Sequence, residues 1–165
     1  MATERTAEVE WIGDFLGGEG KILSTTSGKL PELEVTWVGR TDEDSGQMSP
    51  EELLAAAHAS CFSMQLASGL VGGGYEPMEM QISCTVGLEI GVGIVSSKLV
   101  ANVELDGEIA DDKLREVAER AKLSCPISKA LAGIEITLEL PQLPPPEDEL
   151  EEGSEGEEVG AAAEE

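Results

Sequence analysis

Cys61 and Cys125 are the residues of this chain best placed to do chemistry. Cys61 lies deep in the apolar run Ser49–Val71, and Cys125 heads the segment Cys125-Pro126-Ile127-Ser128-Lys129. Proline at the first position of a helix would set the Cys125 sulfur beside a helix N-terminus, whose partial positive charge and free N–H groups favour thiolate over thiol. One cysteine in a core is usually inert packing. Two in such settings, in a chain of 165 residues with only three cysteines, point to thiol redox chemistry.

A buried thiol resists ionisation, because desolvation disfavours its charged form, so Cys61 needs a cation nearby. Arg40 is the candidate, at the end of a predicted strand and ahead of the loop Thr41–Met48. At about 100° per residue, His58 falls within about 20° of Glu51 on a helix, Cys61 about 80° from Glu51, and Glu52 about 180° from Cys61. Glu51, His58 and Cys61 can therefore share a flank. Glu51 would grip the Arg40 guanidinium bidentately, and Glu52 would serve the helix cap. Each residue alone has a plainer reading: packing for Cys61, a hydrogen-bonded core group for His58, a surface ion pair for Arg40. Cys84 belongs to a strand-like alternation and reads as a core residue without chemistry. With one histidine, no Cys-x-x-Cys and no Cys/His pair at ligand spacing, the sequence argues against a zinc site.

The elements that must hold these residues follow from punctuation and period. Glu8–Ile12, Gly20–Ser24 and Leu33–Arg40 read as short strands broken by glycines and Pro31. Ser49-Pro50-Glu51-Glu52 is a helix start with serine cap, proline at the first position and a capping-box glutamate. That helix runs to about Leu70, where Gly72-Gly73-Gly74 stops it; being apolar on nearly every face, it is expected to be buried on all sides, as a central or dimer-interface helix. Met78–Glu89 and Ile94–Leu105 read as two long strands, Asp111–Leu123 as an amphipathic helix, Pro126 as the start of a short helix, and Ile134–Leu140 as a last strand. The class is α+β, a long buried helix against strongly curved antiparallel sheet.

Length and composition set the limits. The body, residues 1–140, is one domain; residues 141–165 form a proline-punctuated acidic tail that cannot bury enough surface to offset its ordering entropy and is expected to be disordered. Net charge is −24, and ten acids follow Pro146. Such a balance argues against nucleic acid or an anionic membrane as partner, since both are bound by Lys and Arg. No leader-like pattern opens the sequence and no uninterrupted apolar stretch reaches about 18 residues, so the expected location is the cytoplasm.

At these residues the chain resembles a known family, the OsmC/Ohr thiol peroxidases. The stretch from Ser49-Pro50-Glu51-Glu52 to His58-Ala59-Ser60-Cys61-Phe62-Ser63-Met64 is similar to the family's first cysteine helix, and Ala121-Lys122-Leu123-Ser124-Cys125-Pro126-Ile127-Ser128-Lys129 to its second cysteine motif. The wording around His58 is closer to the OsmC branch than to the Ohr branch. The resemblance spans about Glu8 to Leu140. It implies an intertwined homodimer with the long helices at its centre and active sites built from both subunits. It implies Cys61 as the peroxidatic and Cys125 as the resolving cysteine, Arg40 as the activating arginine, Glu51 as its orienting partner, and His58 as a supporting residue behind them. The implied reaction reduces organic hydroperoxides through a Cys61 sulfenic acid and a Cys61–Cys125 disulfide, with a dithiol such as dihydrolipoamide or a lipoylated protein as external reductant and no bound cofactor or metal. The alternatives are a redox sensor and a small-ligand-binding member of the same fold.

Overall fold

The computed structural model describes residues 2–144; the proposed tail beyond Pro144 lies outside the described residues. Among the described residues, two three-stranded sheets and four α-helices alternate. The first sheet is an antiparallel meander of β1 (Ala7–Ile12), β2 (Glu19–Thr25) and β3 (Leu33–Thr36). A short helix, α1 (Trp37–Thr41), leads through a loop to the long helix α2 (Pro50–Gly72). The second sheet pairs β4 (Glu76–Glu89) with β5 (Gly93–Asp106), and α3 (Asp111–Ser124) and α4 (Pro126–Ala130) then carry the chain to β6 (Glu135–Glu139).

Three expectations are revised. The strand read as Leu33–Arg40 ends at Thr36, because the Thr36 hydroxyl accepts the Gly39 N–H at 2.9 Å and caps a helical turn, so Arg40 sits on a helix rather than a strand. The second sheet is mixed: β6 runs parallel to β5, as a crossover through two helices permits, whereas β4 and β5 are antiparallel. Within one chain α2 is not buried on all sides. His58, Phe62, Leu66 and Leu70, four residues apart, form its one fully buried stripe, while Met64 and Val71 are 65% and 63% exposed.

The core gathers that stripe with Leu114, Val117, Ala118 and Ala121 of α3, Leu99 and Ala101 of β5, Cys125 and Leu140. Gly69 lets α2 and α3 approach closely: a Cβ there would stand 3.1 Å from Val117 Cγ1. Leu143 packs against this core and Arg115 Nη2 donates to the Pro144 carbonyl at 2.6 Å, so ordered contacts continue past β6. The first sheet contributes little. Every residue of β1 is exposed, and Val9, Trp11, Ile12, Phe15 and Leu16 present apolar surface that no layer among the described residues covers. By length and composition α2 is also the one helix among the described residues apolar enough to cross a bilayer, although its buried stripe packs on β4 and α3.

Candidate active site

The start of α2 forms as its sequence dictates. Ser49 Oγ accepts the Glu52 N–H at 3.2 Å and Glu52 Oε2 accepts the Ser49 N–H at 2.8 Å, which commits Glu52 to the cap and frees Glu51. Arg40 meets Glu51 there. Its Nε and Nη2 both address Glu51 Oε1, at 2.9 and 2.7 Å, instead of one nitrogen on each oxygen. The carboxylate side chain is 10% exposed and the guanidinium 37%. Glu51 Oε2 is buried with no hydrogen-bond partner among the described residues.

Ten residues along the helix, about 15 Å by its rise, lies Cys61. Cys125 ends α3 and begins α4, its N–H bonded to the Ala121 carbonyl and its own carbonyl to the Lys129 N–H. Both thiols are free, and each acts on the acidity of the other. The Ile127 N–H favours the charged form of either sulfur. Pro126 has no N–H, so Ile127 supplies the first donor of the α4 terminus. Burial pushes the Cys61 thiol up; the Ile127 N–H pulls it back, and the neighbouring Cys125 raises it further. At Cys125 burial also raises, yet the N–H of Ser128, the Cys61 thiol, the Ser128 hydroxyl and the Ile127 N–H together bring it below its ordinary value. Within one chain the Cys61 thiol is thus raised and the Cys125 thiol lowered, and Arg40 is not among the groups that act on Cys61.

His58 occupies a third position, fully buried between the sheet and α4. Its Nδ1 is 2.8 Å from Ser97 Oγ and its Nε2 is 2.8 Å from Ser128 Oγ. Cys84 joins from β4, with Sγ 3.2 Å from Ser97 Oγ and 3.8 Å from His58 Nδ1. Burial lowers the basicity of His58 and pushes the Cys84 thiol up, against the Ser97 hydroxyl, which draws it down.

The structure thus gathers the sequence-derived residues into two clusters. Arg40 and Glu51 meet at the start of α2; Cys61, Cys125 and His58 share the middle of α2 with the α3–α4 junction. A single chain holds the clusters apart. Ser97 and Ser128 join the second cluster without having been singled out by sequence reasoning. Ser97 did carry a signal, a polar residue in register with Leu99 and Ala101 on the inward face of β5, and Ser128 stands three residues from Cys125 in a helical turn.

Residues 41–139 match the family model described as OsmC-like protein, a span that holds Glu51, Cys61 and Cys125 and begins one residue after Arg40. The chain is 33% identical over 142 residues to Peroxiredoxin OsmC of Escherichia coli (strain K12), covering 84% of this chain and 96% of that protein. The organic hydroperoxide resistance protein OhrB of Bacillus subtilis superposes with a TM-score of 0.62 at 26% identity, covering 82% of this chain and 97% of that one. An OsmC-like protein of unknown function from Vibrio cholerae shares the fold, with a TM-score of 0.66 at 16% identity over 84% of this chain and 99% of that one. The family match over more than half of the sequence, and the curated relative over most of it, agree with the two cysteine motifs: the chain belongs to the OsmC-like protein family.

Proposed function

We propose that this protein is a thiol peroxidase that reduces organic hydroperoxides, with Cys61 as the attacking and Cys125 as the resolving cysteine. The observation that carries the reading is that two free thiols 64 positions apart in the sequence are brought near enough at the α3–α4 junction for each to act on the acidity of the other. Cys61 thiolate attacks the distal oxygen of the hydroperoxide, the O–O bond breaks, and the alkoxide leaves as alcohol after taking a proton. Cys61 is then a sulfenic acid, which Cys125 converts to a disulfide with release of water. An external dithiol of the dihydrolipoamide type returns both thiols. Leu54, about 20° from Cys61 around α2, and the exposed Met64 offer an alkyl group burial, which favours organic substrates. Phe62 and Leu66, by contrast, are spent on the core.

A homodimer supplies what one chain lacks. Two α2 helices antiparallel across a twofold axis near Ala56 bring residue 51 of one opposite residue 61 of the other, because 56 is midway between them. Ala56 and Ser60 are small and exposed, which suits a close crossing. The Arg40–Glu51 pair of the partner subunit then stands at Cys61 and draws the thiolate charge there from Cys125. The exposed apolar face of the first sheet gains a cover in the same assembly.

The test is to treat fully reduced protein with one equivalent of cumene hydroperoxide and follow thiols and mass. Rapid loss of two thiols with a mass decrease of about two hydrogens, mapped to Cys61 and Cys125, is the expected result. Cys61→Ser should abolish the reaction, and Cys125→Ser should stop after one turnover. Full, equal turnover in both variants refutes the scheme.

A further inference from the structure

His58 is the one histidine of the chain, fully buried, and the peroxidase scheme above does not use it. It is the centre of a continuous polar path. Ser128 stands three residues after Cys125 in the first turn of α4 and acts on its acidity; from the Ser128 hydroxyl the path runs to His58 Nε2 at 2.8 Å, from Nδ1 to Ser97 Oγ at 2.8 Å, and on to Cys84 Sγ at 3.2 Å. Four of these groups, Cys125, Ser97, His58 and Ser128, are buried, and the buried polar ones, Ser97, His58 and Ser128, are costly unless every one is partnered. All are partnered. The titratable groups facing His58 are Cys84 from β4 and, through Ser128, Cys125 at the head of α4; Ser97 faces it from β5, and Cys61 follows one turn later on α2 itself. Burial alone sets its basicity, with no charged side chain contributing.

Each link of the path needs one hydrogen, and two complete arrangements satisfy it. With Cys125 as thiol, Cys125 S–H donates to Ser128, Ser128 O–H to His58 Nε2, and His58 Nδ1–H to Ser97. With Cys125 as thiolate, Ser128 O–H donates to the sulfur, His58 Nε2–H to Ser128 and His58 Nδ1–H to Ser97, the imidazolium holding the proton that Cys125 gave up. Passing from the first to the second moves a proton off Cys125 without leaving any buried group unpaired.

We propose that His58 is a positioning residue and proton acceptor for disulfide formation, reached from Cys125 through the Ser128 hydroxyl. The inference rests on the two-cysteine reading above. The Cys125 proton passes to Ser128 Oγ as the Ser128 proton passes to His58 Nε2. The Cys125 sulfur attacks the Cys61 sulfur, the S–S bond forms, and the S–O bond breaks with hydroxide leaving. Cys125 sulfur is oxidised by one unit and Cys61 sulfur reduced by one. The proton returns from His58 to the hydroxide, so the products are one disulfide and one water. A buried imidazole of lowered basicity suits this role, because it holds the proton only briefly.

The experiment is a single turnover of the full-length protein with one equivalent of cumene hydroperoxide, quenched with dimedone to trap sulfenic acid and read by mass. Wild type, Ser128→Ala and His58→Gln are compared across pH, after their thermal melts show a folded state. The expected result is that disulfide closure slows about tenfold or more relative to sulfenic acid formation in the same variant, the scale of a hydrogen bond to a charged sulfur. Trapped sulfenic acid accumulates, and the half-rise of closure with pH moves upward. Closure with the wild-type ratio and pH profile in both folded variants overturns the relay. Should His58→Gln not fold, Ser128→Ala alone decides in the same way. If wild type itself loses no thiols, the two-cysteine reading falls, and the relay with it.

Discussion

Replacing Glu51 with glutamine probes the site where charge and geometry are both visible. The change keeps the shape of the side chain and the Oε1 acceptor but removes the carboxylate charge that two Arg40 nitrogens address at 2.9 and 2.7 Å. The new amide nitrogen would fall where Oε2 is already buried without a partner, so that position stays unsatisfied in either form. A hydrogen bond to a charged group contributes about 1.5–3 kcal/mol, whereas a neutral acceptor retains about 1. The guanidinium is 37% exposed, so solvent screens the remainder. The net loss is about 1–2 kcal/mol of Arg40 positioning. If Arg40 holds the Cys61 thiolate, kcat/KM for cumene hydroperoxide should fall about 5–30-fold, with the melting temperature lowered by only about 2–8 °C. A stopped-flow assay of Cys61 oxidation beside a thermal melt reads both. Unchanged peroxide reactivity in a folded Glu51→Gln protein would refute the argument that the Arg40–Glu51 pair serves catalysis.

Three further outcomes are expected. Cys125→Ser should acidify Cys61, because Cys125 raises the Cys61 thiol through hydrogen bonding and charge; the pH at which the first oxidation reaches half its limiting rate should move down, and an upward shift counts against the assigned sharing of the proton. Burial depresses His58 below its ordinary 6.5, so its share of stability is present above about pH 6.5 and is lost as pH falls through the lower folded value; the melting temperature should decline there in wild type and decline less in His58→Gln. Gly69→Leu should cost about 1–3 kcal/mol by forcing α2 off Val117, seen as an earlier urea midpoint with an unchanged slope.

What the sequence displayed, and what it hid, divides by distance along the chain. The Ser49–Glu52 box is complete within four residues, so its cap, its proline and the release of Glu51 were legible before any fold was known. The sulfur of Cys125 beside the Ile127 N–H was equally local. Arg40 on a helix was harder, because Val35 and Thr36 favour a strand, and the turn that follows is fixed by the Thr36 cap and by Gly39 closing on Gln47 and Met48. The His58 partners lie 39 and 70 positions away, on a strand and a helix whose meeting depends on the crossover that also makes β6 parallel to β5. A pattern read in windows of a dozen residues contains no information on such a meeting. Cys84 was read as core for the same reason, although it ends the polar path.

The Ile127 N–H has one more consequence. It favours the charged form of either sulfur, and the first of the pair to ionise carries a charge in the reduced protein that a disulfide does not. This amide proton is therefore a built-in redox gauge. Its resonance should sit far downfield while a thiolate is present and move upfield on oxidation. With a poorer acceptor, its exchange with deuterated solvent should also quicken. The first turn of α4, with exposed Pro126 and Lys129, is anchored through this donor, so the oxidation state of two hidden atoms becomes readable at the surface of a five-residue helix.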